Sequence, residues 1–221
     1  RVGCGAVESG VRELLAFART TRLQDIPPAA LRRGVMIIAD DLGAIVAASE
    51  EPEVAAAHAQ FQRLGGPAEA VVFGRPGVRL ERSLAAAANG LAADWCELDE
   101  GYRRAVCHAG LYTLPALLAE AEATGASLAE VLRCAVLSYE VTARFARAWE
   151  FPPFVLHPHG IFNSLGAATA VGLARGLDEP TLLSAVTGAC TLVAPGPYDH
   201  AVRGALIRNA WPAAGAWCGF R

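Results

Sequence analysis

Apolar residues recur at three- and four-residue spacing through most of the chain, the period of α-helices buried on one face. Val7, Val11, Leu14, Leu15 and Ala18 set the first such stripe. The prolines of DIPP predict a helix start, because a fixed φ suits the first turn, where the missing N–H costs nothing. The helix that follows carries Leu31, Val35, Met36, Ala39, Leu42, Ile45 and Val46, which predicts burial. EEPEVAAAHAQFQRLGG predicts a third helix stopped by glycine. EAVVFGRPG is short, β-branched and bounded by Gly and Pro, which predicts a lone strand or extended turn.

From Arg79 the pattern turns helical again, and LPALLAEAEATG predicts a helix ending at Gly125. Ser127 and Glu130 stand at capping-box spacing ahead of a long helix running to Trp149. EFPPFVLHPHG reads as a Pro-rich loop. NSLGAATAVGLARG is rich in small residues, so another helix can approach it closely, and residues 163–175 are a candidate contact between two copies of the chain. Asp178 is a predicted N-cap. APGPYDH reads as a loop, and a last helical piece holds Trp211 to Trp217. The expectation is an all-α fold, one large helical domain over residues 1–221, without repeats or low-complexity linkers.

Composition narrows the function classes. The chain is 53% hydrophobic, with alanine dominant, which favours close-packed helices. No apolar run approaches the roughly 20 residues of a membrane span, and no secretory leader is visible, so a cytoplasmic protein without membrane contact is expected. The net charge is −3 with no basic stripe, which disfavours nucleic-acid binding. All 19 basic residues are arginine, so no lysine can serve as Schiff base or general acid. The six cysteines form no CxxC pair, and their expected place is among small buried residues.

The chemistry concentrates in CELDEGYRRAVCH, residues 96–108. Glu97, Asp99 and Glu100 allow three readings. A solvated acidic loop is one. A magnesium site is another, since clustered carboxylates hold hard cations, but no Gly-rich phosphate loop accompanies them. ADDLG at 39–43 is similar to the aspartate-rich helices of terpenoid synthases, yet it sits in an apolar run and lacks a second acidic box. The third reading joins the acidic run to His108 and to HPHG at 157–160, since histidine titrates near neutral pH and can take or give a proton. His58, on an Ala-rich helix, is expected to be structural, and His200 has little context.

In order along the chain, RRGVMIIADDLGAIVAAS, AAAANGLAADWCELDEG, CHAG, LPALLAEAEATG, SYEVTAR and LHPHGIFNSLGAATAVGLARGLDEP resemble the MmgE/PrpD family. The corresponding family segments include N-G-x-x-x-H-x-x-D-F-D-D-T, then H-P-S, then H-P-T-G. The resemblance implies a large helical domain with a smaller α+β lid, a homodimer, and dehydration, decarboxylation or epimerisation of small carboxylates. It implies no cofactor, metal or iron–sulfur cluster. Carried over by position, Glu97 and Asp99 stand for the first two aspartates of the acidic motif and Glu100 for the third. His108 corresponds to the histidine of H-P-S and His157 to that of H-P-T-G.

The departures are specific. Asp94 stands where the family has histidine, Gly101 where it has threonine, and Arg203 is the nearest basic match to a family lysine. Arginine can grip a carboxylate through two N–H groups but does not readily release a proton. The segment corresponding to the lid is expected to be missing from this chain. The leading expectation is a lyase or isomerase in which His108 or His157 removes a proton alpha to a carboxylate. The other histidine, or Glu97, then protonates, Asp99 orients a histidine, and Arg203, His159 and Tyr102 bind substrate. The contrasting expectation is a non-catalytic helical binding module or decayed paralogue. Convergence of His108, His157 and Glu97 on one cavity separates the two.

Overall fold

A computed structural model of the chain describes residues 4–149 and 155–221. Among these, ten α-helices and one two-stranded sheet follow in order: α1 (Cys4–Thr20), α2 (Pro28–Ala48), α3 (Pro52–Leu64), β1 (Ala70–Val71), β2 (Arg79–Leu80), α4 (Arg82–Trp95), α5 (Ala109–Thr124), α6 (Leu128–Ala148), α7 (His159–Ala174), α8 (Glu179–Ala189), α9 (Tyr198–Val202) and α10 (Ile207–Cys218). The fold is all-α, as the periodicity predicts. No helix among the described residues is long and apolar enough to cross a membrane.

Local chemistry sets the helix ends. Pro28 and Pro52 open α2 and α3, where no N–H is required. Side chains of Glu81, Ser127 and Asp178 accept hydrogen bonds from free N–H groups at the starts of α4, α6 and α8. Ser127 supplies one half of the expected capping box, while Glu130 turns instead to Arg133 at hydrogen-bond distance. Gly125 ends α5 in the left-handed conformation at φ 69°, which costs a residue without Cβ little.

Several elements differ from expectation for physical reasons. EAVVFGRPG does not stand alone: β1 pairs antiparallel with β2, Ala70 opposite Leu80. Helix α2 is buried on one face only, through Gly34, Asp41, Ala44, Ile45 and Ala48, while Val35, Met36 and Val46 are exposed. Helix α5 begins at Ala109, so Pro115 lies inside it. Of the expected loop at residues 150–160, residues 150–154 lie outside the described residues, and α7 already begins at His159. APGPYDH ends in the short helix α9.

Helix α7 is the centre of the packing. Every residue from His159 to Leu173 is buried. It contacts α5, α6, α8 and α10, so its small residues serve packing within the chain and are not available to a second copy. A Cβ at Gly166 would lie 2.8 Å from the Tyr112 carbonyl oxygen, which shows how closely α5 and α7 approach. The buried Ala85, Ala86, Ala87 and Ala88 let the surroundings of α4 close in the same way. Beside this core the carboxylate of Glu120, 1% exposed, is held by Arg82 and Arg175 at 3.2 and 2.9 Å.

Cys107 and Cys134 are buried and Cys96, Cys190 and Cys218 half-buried, all as free thiols; the side chain of Cys4 lies outside the described residues. Burial pushes the Cys134 thiol up to about 12, so it stays protonated and unreactive. His58 is buried with Nε2 3.1 Å from the Ala88 carbonyl oxygen, in a structural setting.

Candidate active site

Helix α4 stops at Trp95, and the chain turns sharply at Glu97, which takes φ 53°. This is the left-handed region, uncommon for a side chain larger than Asn or Asp, and such strain gathers at functional sites. The turn leads into a loop closed by an antiparallel bridge between Tyr102 and Cys107, with the Tyr102 N–H donating to the Cys107 carbonyl at 2.8 Å. The closure brings Asp99 beneath His108, the residue that precedes α5, and His108 Nδ1 lies 2.8 Å from Asp99 Oδ2.

Two more histidines arrive from the start of α7. A bridge pairs Leu156 with Pro197, and the His157 N–H donates to the Gly196 carbonyl at 2.9 Å. The loop at Ala194 presses so close that a Cβ at Gly160 would lie 2.0 Å from the Ala194 oxygen; only glycine fits there. The ring of His159 packs between its neighbours, centroids 5.0 Å from His108 and 4.3 Å from His157.

From the far end of the sequence, α10 brings Arg208 and Asn209, which donate to the backbone carbonyl of Asp94 at 3.3 and 3.2 Å. The Arg208 guanidinium pairs with Glu97 at 2.7 Å and lies 3.6 Å from Asp94 Oδ1. Asp94, 1% exposed, has Oδ1 2.9 Å from His159 Nε2, while Oδ2 is buried and unpartnered. The Tyr112 hydroxyl lies 2.9 Å from His159 Nδ1. Both ring nitrogens of His159 are thus occupied within the protein, and neither is left for a ligand.

A cavity of about 260 Å³ is lined by Asp94, Glu97, Asp99, His108, His157, His159, Tyr198 and Arg208, with a few apolar neighbours. His108, His157 and Glu97 therefore do converge on one space. Arg203 does not: its guanidinium is exposed and paired with Asp199 at 2.7 Å, one helical turn away on α9. The arginine that lines the cavity is Arg208. Tyr102 lines a larger cavity of about 890 Å³ on the other side of the loop, together with Glu100 and Tyr139. Glu100 faces that way, accepting from Gly110 N–H at 2.6 Å and the Tyr139 hydroxyl at 2.9 Å. No histidine lines the larger cavity, so size is a poorer guide to chemistry here than the convergence of titratable groups.

The environments push these groups apart. For His108, burial works against the charged ring, but the hydrogen bond and charge of Asp99, with Glu100 and Asp94, raise its pKa above the ordinary histidine value. His157 is pulled down to about 3 by burial first, and then by the neighbouring His159 ring and the positive charges of Arg208 and His108. Burial, with the charge of His108, also holds His159 far below its usual range. Asp94 is pushed up to about 7 by burial, against the pull of Arg208 and His108.

Hydrogen-bond polarity runs in opposite senses at the two cavity histidines. His108 gives Nδ1–H to Asp99, which leaves the Nε2 lone pair free. Neutral His157 uses Nδ1 to accept from the His159 backbone N–H over a long 3.4 Å, which places its proton on Nε2. Among the described residues, neither Nε2 has a protein hydrogen-bond partner. No group of three or more His, Cys, Asp or Glu among the described residues is disposed to hold a metal ion.

Asp94 and Arg208 are the residues that motif matching undervalued. Asp94 registers in the sequence as a departure from a histidine; the one signal pointing inward is a carboxylate in an alanine-rich helix face. Arg208 lies five residues beyond Arg203 in the same stretch and is singled out by the packing of α10 on α4.

No curated protein matches the chain in sequence. The family model described as the MmgE/PrpD N-terminal domain matches residues 12–201, which includes the acidic turn and all three cavity histidines, while Arg208 lies beyond the matched range. Dehydratases and isomerases are typical of that family, and with this match over most of its length the chain belongs to the MmgE/PrpD family.

Proposed function

We propose that the protein is a metal-independent lyase or isomerase that removes a proton alpha to a carboxylate of a small substrate. The observation that carries the reading is the opposed polarity of His108 and His157 at one cavity. His108 Nε2 takes the α-proton; Asp99 holds the ring in the required tautomer and stabilises the imidazolium formed. The electron pair moves into the substrate carboxylate, and His157, neutral because its charged form is so disfavoured, donates Nε2–H to the developing oxyanion. Arg208 binds the carboxylate, and Glu97 steers Arg208 instead of acting as a free acid. From the carbanion, expulsion of a β-hydroxyl that takes the proton from the His108 imidazolium and leaves as water gives dehydration, and return of that proton to the opposite face gives epimerisation. In a decarboxylation the loss of carbon dioxide itself forms the carbanion, which then takes a proton from a protonated His108. Family membership supports a homodimer as the assembly, which light scattering reports directly.

The test is solvent deuterium exchange. A panel of small mono- and dicarboxylates is incubated in deuterium oxide and the α-hydrogens followed by NMR. The expected result is enzyme-dependent exchange into at least one compound, lost in His108→Gln and reduced in His157→Gln. Binding without exchange in the wild type sinks the catalytic reading and favours a non-catalytic binding module.

A further inference from the structure

Charge balance in the histidine pocket narrows its ligand, on the premise that this pocket is the substrate site. Among the described residues, three carboxylates line the cavity, Asp94, Glu97 and Asp99, against a single guanidinium, that of Arg208. Asp99 is matched by His108 at 2.8 Å. The remaining two share Arg208, which sits 2.7 Å from Glu97 and 3.6 Å from Asp94. The other partner of Asp94 is His159, a ring that burial keeps uncharged. Asp94 Oδ2, on a side chain 1% exposed, has no hydrogen-bond partner among the described residues. A buried acceptor without a donor is costly, and so is a buried anion without a cation, so Asp94 holds its proton up to about pH 7 while no further cation faces it. One positive, hydrogen-bond-donating group is missing from the pocket.

A substrate with two or three carboxylates would add negative charge where negative charge is already in excess. We propose that the pocket takes a small carboxylate that also bears a protonated amine, with the ammonium set against Asp94 and Glu97 and the carboxylate against Arg208. The ammonium supplies the missing cation, and Arg208, relieved of serving two carboxylates, turns to the substrate's own.

The test uses three ligands that differ in one group: β-alanine, 3-hydroxypropionate and succinate. Their dissociation constants are read by NMR chemical-shift titration with the wild-type protein, Asp94→Asn and Glu97→Gln. The expected result is that β-alanine binds about tenfold tighter than the other two, and that Asp94→Asn abolishes the advantage. If Asp94→Asn does not fold, Glu97→Gln carries the comparison and narrows the same advantage. Undetectable binding of β-alanine, succinate binding as tightly as β-alanine, or an order unchanged in both variants overturns the proposal. The titration needs no turnover, so its outcome is separate from proton abstraction: exchange lost in His108→Gln with a preference for succinate would sink this inference alone, and a preference for the amine without any exchange would sink the catalytic reading.

Discussion

Asp99 Oδ2 and His108 Nδ1 lie 2.8 Å apart, held there by the bridge between Tyr102 and Cys107 that closes the loop joining them. The pairing is local in sequence and sets the basicity of a ring that faces the cavity. Removing the Asp99 charge leaves burial opposed only by the more distant charges of Glu100 and Asp94. Asp99→Asn is therefore expected to lower the His108 titration, followed by NMR, from its raised position. Proton exchange at the substrate should fall by about 10² or more, the usual scale of a general base. A His108 titration unmoved by the substitution contradicts the pairing.

Asp94 destabilises the fold in return for its position. Its folded-state pKa, about 7, lies above that of an unfolded aspartate near 4. Stability is therefore lost as pH rises through this interval, because the folded state resists losing the proton. Asp94→Asn has no charge to bury, so its melting temperature relative to wild type should rise from about pH 4 to about pH 7 and level off above. A difference that is flat or falls with pH counts against the burial of an unbalanced carboxylate.

Glu120 has the opposite sign. Burial disfavours its charge, but the hydrogen bonds and charges of Arg175 and Arg82 win and lower its pKa. Its contribution is present above the unfolded glutamate pKa and is lost as pH falls through the folded one. Glu120→Gln should cost about 1–3 kcal/mol at neutral pH in urea unfolding, since both arginines keep some solvent. The gap to wild type should shrink below about pH 4.

Gly166 couples the fold to the site. Alanine there gains helix propensity of up to about 1 kcal/mol, but its Cβ would press on the Cβ and carbonyl of Tyr112 at 2.8 Å. Gly166→Ala is expected to cost about 2 kcal/mol net by thermal or urea unfolding. Tyr112 is the hydroxyl partner of His159, so the tyrosine shift should also appear in the His159 ring resonances.

Much of this architecture is legible in the sequence, and what is not has physical causes. Caps and stops are local, so Asp178, Ser127, Gly125 and Pro28 mark their helix ends correctly. The start of α5 is less legible: the helical text reads from LPALL, whereas α5 begins at Ala109 and carries Pro115 in its interior. The prolines and glycines around His159 read as loop, yet α7 begins at that residue and buries it. The small-residue text of α7 correctly signals close approach but not which helices approach; they belong to the same chain. The acidic turn and its histidines could be matched by motif, since their order along the chain survives. Asp94 and Arg208 could not, because they meet only through the packing of α4 against α10, across 114 residues. Arg203 was the nearer match by spacing and points into solvent.

The opposed polarity of the two cavity histidines is tested most directly by their tautomers. Nitrogen-15 imidazole correlation spectra at a pH above the His108 titration, where both rings are neutral, report which ring nitrogen carries the proton. The prediction is Nδ1–H for His108 and Nε2–H for His157, with His157 still neutral when the pH is lowered to about 5. A His157 that is protonated on Nδ1, or that becomes charged before pH falls to about 5, contradicts the assignment of His108 as base and His157 as neutral donor.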